Sequence, residues 1–295
     1  LNNKLPVVIE IGLKIACSKF SLALQVTMGG IAMQLDDVII SKSIIQSYME
    51  KLLSTLEVDV ALVGAGPANM VAGYYLGKAG FKAAIYEAKL APGGGMWGGG
   101  MMFNEVVIQE DALDIAREMG ISYKPKSDGY YTMDSVEATS TIISNCVKAG
   151  TTIFNLVQVT DVLFREEDGG PRISGLVINW SPVEKLELHV DPIGIKASFV
   201  VDGTGHPATI CHIITRKMDA TLYTKTGHVI GEMPLWADKG EQFTVANTQE
   251  VFPGLYVAGM AANNAFGGPR MGPIFGGMIQ SGRKVAEIII KKLKG

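Results

Sequence analysis

The sequence predicts an α/β fold: a mostly parallel sheet that binds a dinucleotide, with a β-rich section inserted into it. Three observations carry this reading. A mostly apolar run, Val58–Val63, leads into Gly64-Ala65-Gly66 and a small-residue apolar stretch that ends at Gly80. A second run, Lys82–Tyr86, ends on an acid, Glu87. Between about residues 152 and 201, helical periodicity gives way to short β-branched runs separated by turn residues.

The first run suits a strand buried on both faces of a parallel sheet. The glycines let the chain turn tightly and approach a pyrophosphate, which sits where the free N–H groups and dipole of the following helix favour an anion. Glu87 follows Gly64 at about the ~20-residue spacing at which a carboxylate accepts ribose hydroxyls. Gly64, Gly66 and Glu87 are therefore candidate nucleotide-binding residues. Asn69 stands where a third glycine is common, and its side chain is expected to loosen the packing of helix on strand. Gly80 supplies the left-handed stop of that helix. The motif leaves FAD and NAD both open.

The remaining elements follow in order. Leu1–Ala32 is apolar but broken by Lys4, Glu10, Lys14 and Lys19. It has no run of the ~20 apolar residues a spanning helix needs and matches a signal peptide poorly. It reads as an extension of unknown role or a short extra element, ahead of a single domain over 33–295. Ser41–Leu56 reads as an amphipathic helix, capped by Ser41, with Ile44, Ile45, Tyr48, Met49 and Leu52 on one face. Residues 93–100 hold six glycines in eight positions, which excludes a stable helix. Met96, Trp97, Met101 and Met102 argue for a packed loop beside the nucleotide and against a free linker. Helices are expected over Glu110–Met119 and Ser135–Ala149. Strands are expected over Thr152–Leu156, Val157–Phe164, Ile173–Trp180, Leu186–Val190 and Ala197–Val201, with a hairpin turn over Arg165–Pro171. Pro253–Gly259 reads as a late strand, Asn263–Gly277 as a glycine-dense loop, and Gln280–Lys294 as a closing helix whose basic end suits the dipole.

The bulk numbers exclude several classes. A net charge of −3 and a pI near 5.9 offer no basic field for nucleic acid, and no segment suggests a membrane span. Cys17, Cys146 and Cys211 are widely spaced, with no CxxC pair and no zinc spacing, so the default compartment is a reducing cytoplasm.

This pattern is that of a flavoprotein-like, Rossmann-type nucleotide-binding fold. In flavoproteins the late strand reaches an acid that holds the ribityl chain, but Met260 stands there. That weakens FAD and leaves either another use of the dinucleotide or an ordinary core methionine. His189, Asp191 and His206 lie at strand ends or turns, and imidazole plus carboxylate suits a ferrous or similar ion. A hydrogen-bonded histidine and an exposed acid are the plainer alternative. Arg270, within Gly267–Pro273, is a guanidinium on a rigid loop. It can take a carboxylate or phosphate in bidentate fashion or simply face solvent.

Together, VGAGPA at Val63–Ala68, the run from Glu87 through PGGGMWGGGMMFN to Asn104, Asn179-Trp180, His189–Pro192, Thr204–His206, and Arg270–Pro273 followed by Phe275-Gly276 resemble the thiamine thiazole synthases, the methanogen-type members above all. The resemblance runs from about Gln34 to the C-terminus. It implies an enzyme that consumes NAD as a substrate. Nicotinamide is released, the ADP-ribose isomerises and condenses with glycine, sulfur is added, and an ADP-linked thiazole carboxylate results. It implies nucleotide contacts from Gly66 and Ala68 at the pyrophosphate, Glu87 and Ala88 at the ribose, Gly95 in the glycine loop, Val159 at the adenine and Met260 in the nucleotide site. It implies Fe(II) on Asp191 and His206, a glycine carboxylate clamped by Arg270, and a homo-octamer in which Asp191 is shared across a subunit contact. Yeast and plant members spend a cysteine two residues before that aspartate as the sulfur source. His189 stands there, which implies free sulfide and repeated turnover. Asn69, Ala88 and Pro207 depart from the family's usual residues. Three alternatives are weighed against this: an FAD-dependent oxidoreductase, a ribose-1,5-bisphosphate isomerase and a non-catalytic nucleotide-binding protein.

Overall fold

The strand that opens the dinucleotide motif is the centre of the molecule. In the computed structural model, which describes residues 34–99 and 101–295, Val60, Ala61 and Leu62 have no solvent exposure. Burying a side chain such as Leu62 contributes about 1.5–3 kcal/mol. Asp37–Ser54 forms helix α1, Glu57–Val63 strand β1, Pro67–Lys78 helix α2 and Ala83–Glu87 strand β2. Glu105–Gln109 is β3, Leu113–Met119 is α3, Lys124–Pro125 is β4, Tyr130–Asp134 is β5 and Ser135–Lys148 is α4. The β-rich section follows as β6 (Thr152–Asn155), β7 (Val157–Glu167), β8 (Gly170–Trp180), a short α5 (Ser181–Lys185) and β9 (Ile193–Asp202). The chain ends with α6 (Thr209–Lys217), α7 (Ala237–Ala246), β10 (Gln249–Phe252), β11 (Leu255–Val257), α8 (Met260–Phe266) and α9 (Gly276–Leu293).

The main sheet runs β10-β11-β9-β1-β2-β6. Every neighbouring pair from β11 to β6 is parallel, and β10 turns back antiparallel at the edge. This is the flavoprotein-like, Rossmann-type α/β arrangement. The β7–β8 hairpin joins the same sheet, because β8 pairs antiparallel with the first residues of β9 while the last residues of β9 pair with β1. Helix α2 carries small residues, Ala68, Gly73 and Gly77, where other elements pack closely against it. A Cβ on Gly282 of α9 would fall 2.2 Å from the Ala68 carbonyl oxygen, so glycine is what lets the two helices meet.

Several expectations need correction. Asp36, not Ser41, caps α1: its Oδ1 accepts from the N–H groups of Val38 and Ile39, and the Ser41 hydroxyl donates back to the Asp37 carbonyl. Ile44, Ile45 and Met49 are exposed, while Leu52 is buried. Leu186–Val190 is an exposed loop after α5 and not a strand. The expected loop over Asn263–Gly277 begins inside α8, and the closing helix starts earlier than expected, at Gly276. Met96 is buried as expected, whereas Met101 and Met102 are exposed. A second, three-stranded antiparallel sheet, β3-β5-β4, had no signal in the sequence reading. The chain divides into two units at Glu50/Lys51, and the expected extension, Leu1–Ala32, lies outside the described residues. Among the described residues, no helix is long and apolar enough to cross a membrane.

A buried acid lies where α7 meets the start of α9. Glu241 Oε2 accepts from Gln109 Nε2 at 2.6 Å and from the Gly277 N–H. Burial pushes its carboxyl up from 4.5 to about 6. The folded state therefore holds this proton more tightly than the unfolded chain. Stability from this group is fully present below about pH 4.5 and is lost as pH rises through about 6. Thermal melts of wild type and Glu241→Gln should diverge between pH 5 and 7.5, with the glutamine variant gaining about 1–3 kcal/mol relative to wild type at the upper end. A gap that closes as pH rises would contradict this assignment.

Candidate active site

The glycine turn of the motif is held by side chains from three directions. Gly64 takes φ +85°, and a Cβ there would lie 2.9 Å from the Gly203 carbonyl oxygen. The turn after β1 thus lies against the turn after β9. Asn69 pins them together. It is buried, and its Nδ2 donates to the carbonyls of Val63 and Gly64, both at 2.9 Å. The same side chain fills the space over Gly203, where a Cβ would fall 2.3 Å from Nδ2. The expectation that Asn69 loosens this packing is therefore reversed. Glu87 Oε2 accepts from the Ala65 N–H at 2.7 Å, and its Oε1 accepts from the Lys89 N–H at 2.8 Å. An ionised carboxylate has about four acceptor positions, so it can still receive hydroxyls from a ligand.

These turns form the wall of a cleft of about 820 Å³, within the ~300–1,000 Å³ usual for small-molecule sites. Of the candidate residues, Gly64, Gly66, Ala68, Glu87, Ala88, Gly95, Val159, Met260, His206 and Arg270 all line it. Met260 is also nearly fully buried, so the lining and core readings of it both hold. Val159 sits beside a bulge in the β7–β8 ladder, where the register shifts between Val159 and Asp161. Bulges re-aim backbone next to binding sites.

His189 and Asp191 do not line this cleft. Both are exposed on the loop after α5. Among the described residues, no cluster of three or more His, Cys, Asp or Glu side chains could hold a metal. The expected His189, Asp191 and His206 grouping is therefore not assembled within this chain, because the loop that replaces the expected strand carries the first two elsewhere.

His206 is placed by residues the sequence reading passed over. Asp202, fully buried at the end of β9, accepts from the Thr204 N–H and hydroxyl with Oδ1, and from the Ile210 and Cys211 N–H groups with Oδ2. That fixes the loop on which His206 stands and caps α6. Asn264 Nδ2 donates to the His206 carbonyl at 2.5 Å. The His206 Nδ1–H donates to Glu232, 2.7 and 2.9 Å from its two oxygens. The same carboxylate lies 3.8 Å from Arg270 Nε. A strand-end acid before a glycine turn was a readable signal for Asp202. Glu232 had none, being a lone acid in an irregular segment.

A family model described as the Thi4 family matches residues 41–275. The thiamine thiazole synthase of Methanothermobacter thermautotrophicus is 53% identical over 262 residues, covering 89% of this chain and 100% of the relative. This chain belongs to the thiamine thiazole synthase family. The corresponding protein of Pyrococcus furiosus is 52% identical over 259 residues, covering 88% of this chain and 99% of the relative. The crystal structure of the Thermovibrio ammonificans family member superposes with a TM-score of 0.88 at 54% identity, covering 89% of this chain and all of that one. The chain is thus an enzyme of thiamine thiazole synthesis, and the cleft walled by the glycine turn is its candidate active site.

The Asn69–Gly203 contact can be tested directly. Gly203→Ala should cost about 1–3 kcal/mol through overpacking. Asn69→Ala should cost about 1–3 kcal/mol, because the Gly64 carbonyl loses its donor and the Val63 carbonyl keeps only the Gly203 N–H. If the two side chains compete for one space, the double variant will be less destabilised than the sum of the singles in denaturant unfolding. Strict additivity would show that the contact is not limiting.

Proposed function

We propose that this enzyme converts NAD, glycine and free sulfide into an ADP-linked 4-methylthiazole-2-carboxylate, releasing nicotinamide, with Fe(II) and over many turnovers. The observation that carries the reading is that one cleft is lined both by the dinucleotide turn with Glu87 and by His206 and Arg270. The backbone from Gly66 to Ala68, at the N-terminus of α2, receives the pyrophosphate. Glu87, already oriented by two backbone N–H groups, accepts the ribose hydroxyls. Arg270 takes the glycine carboxylate through paired N–H groups. NAD is a substrate here and no hydride moves, which agrees with Met260 in place of a flavin-holding acid. The FAD oxidoreductase and ribose-1,5-bisphosphate isomerase readings lose their support with the family assignment.

One of the two expected iron ligands, His206, stands in the cleft in a form that suits a ferrous ion. With Nδ1 engaged by Glu232, His206 has Nε2 left for a metal, the arrangement common for metal-bound imidazole. Asp191 of the partner subunit would complete the pair within a homo-octamer, since Asp191 stands on an exposed loop away from its own cleft. Bound iron supplies a Lewis acid and a template for sulfide addition.

The cysteines support free sulfide as the sulfur source. Cys146 and Cys211 are buried, and neither lines the cleft. Burial pushes the Cys146 thiol up to about 12, and burial together with Asp202 pushes the Cys211 thiol well above its usual range. The thiolate is the reactive form, so both are held inert. Cys17 lies outside the described residues. Free buried thiols also agree with a reducing cytoplasm.

Given NAD, glycine, Fe(II) and sulfide without oxygen, each subunit should form many equivalents of product. Cys146→Ser and Cys211→Ser should leave that number within a factor of about two. Product capped at one equivalent, with mass lost from the protein, would reject the sulfide reading.

A further inference from the structure

Among the described residues, Glu232 is the one side chain paired with both His206 and Arg270. Its carboxylate is 15% exposed, against 52% for His206 and 58% for Arg270. It accepts from His206 Nδ1 and lies 3.8 Å from Arg270 Nε, too long for a hydrogen bond but within reach of an ion pair. The backbone around it is laced to the arginine's own loop. The Met233 N–H donates to the Gly268 carbonyl, the Arg270 N–H to the Met233 carbonyl, and the Trp236 N–H to the Arg270 carbonyl. Asn263 Nδ2 donates to the Pro269 carbonyl at 2.6 Å. Glu232 is therefore carried on the segment that holds Arg270, yet it reaches across to the loop that carries His206.

We propose that Glu232 is a positioning residue that sets His206 and Arg270 relative to each other. Its two effects are separable by chemistry. An acceptor at Nδ1 fixes which imidazole nitrogen carries the proton, orients the ring and leaves Nε2 as the ligand. That needs a hydrogen-bond acceptor and not a full charge. Drawing Nε of Arg270 toward Glu232 leaves the guanidinium edge made by its two terminal nitrogens for a carboxylate. That depends on charge, because the ion pair is long. The inference rests on His206 as a metal ligand and Arg270 as the glycine clamp.

The test uses the full-length protein as wild type, Glu232→Gln, Glu232→Ala and His206→Ala. Co(II) serves as a spectroscopic probe of metal binding, and the KM for glycine is measured with NAD, Fe(II) and sulfide. Glu232→Ala should weaken Co(II) binding by about 10–100-fold, whereas Glu232→Gln, whose amide oxygen still accepts from Nδ1, should weaken it by no more than about threefold. Both variants should raise the glycine KM by about 2–5-fold, the scale of a partly exposed ion pair. Melting temperatures separate these effects from misfolding, and the near-isosteric glutamine variant keeps the test open if the alanine variant does not fold. Wild-type Co(II) affinity and wild-type glycine KM in Glu232→Ala would overturn the proposal. If wild type and His206→Ala bind Co(II) equally, the metal reading itself has failed. The glycine KM of Glu232→Gln then decides whether Glu232 positions Arg270.

Discussion

The site depends on two turns meeting back to back. In the turn after β1, Gly64 has no room for a side chain because the Gly203 carbonyl faces it, and in the turn after β9, Gly203 has none because the Asn69 amide fills the space. Asn69 is the polar bolt between them. It is the side-chain donor to the Gly64 carbonyl and adds a second donor to the Val63 carbonyl, which also accepts from the Gly203 N–H. The glycine turn after β1 and the loop bearing His206 are thereby parts of one rigid piece. β1 and β9 are adjacent and in register from Val58 with Ala197 to Val63 with Asp202, so the contact is set by the parallel pairing of two buried strands.

The acid in the cleft and two behind its lining share an organisation. Glu87, Asp202 and Glu232 each spend their oxygens on N–H groups of the protein itself. Glu87 orders the glycine turn, Asp202 orders the next turn and caps α6, and Glu232 orients an imidazole. Groups of positive or neutral character, Arg270, His206 and the start of α2, remain to meet a ligand. Such a cleft suits an anionic dinucleotide and a small carboxylate, because the protein's negative charge is already neutralised by backbone dipoles or paired.

The legible part of the chain was what local pattern controls. β1, the turn, α2 and β2 are legible from apolar runs and glycines, and several cleft-lining positions come with them. α4 was legible through its periodicity and the glycine after it. The errors arose where tertiary context decided. Leu186–Val190 alternates like a strand but has no neighbour to pair with, so it is a loop. Asn263–Phe266 carries small and amide residues that suggest a loop, yet it is helical, with Asn263 and Asn264 bonding to distant carbonyls. Asn69 escapes such a reading because spacing reports a missing glycine but not the two carbonyls that its amide reaches. Glu232 was illegible for a stronger reason: its partners lie 26 and 38 positions away along the chain, and no short-range pattern records that.

The loop from Leu186 to Pro192 has a different kind of consequence. Residue 189 is exposed on the surface of the single chain. Substitutions at such positions usually change stability by no more than about 0.5 kcal/mol. The residue type there is thus uncoupled from folding. If position 189 does set where sulfur comes from, a lineage could pass between spending its own side chain and using a dissolved nutrient by one exchange, with the core unaware of it. The choice would then be governed by the sulfur and oxygen supply of the habitat, with no contribution from the architecture that carries it.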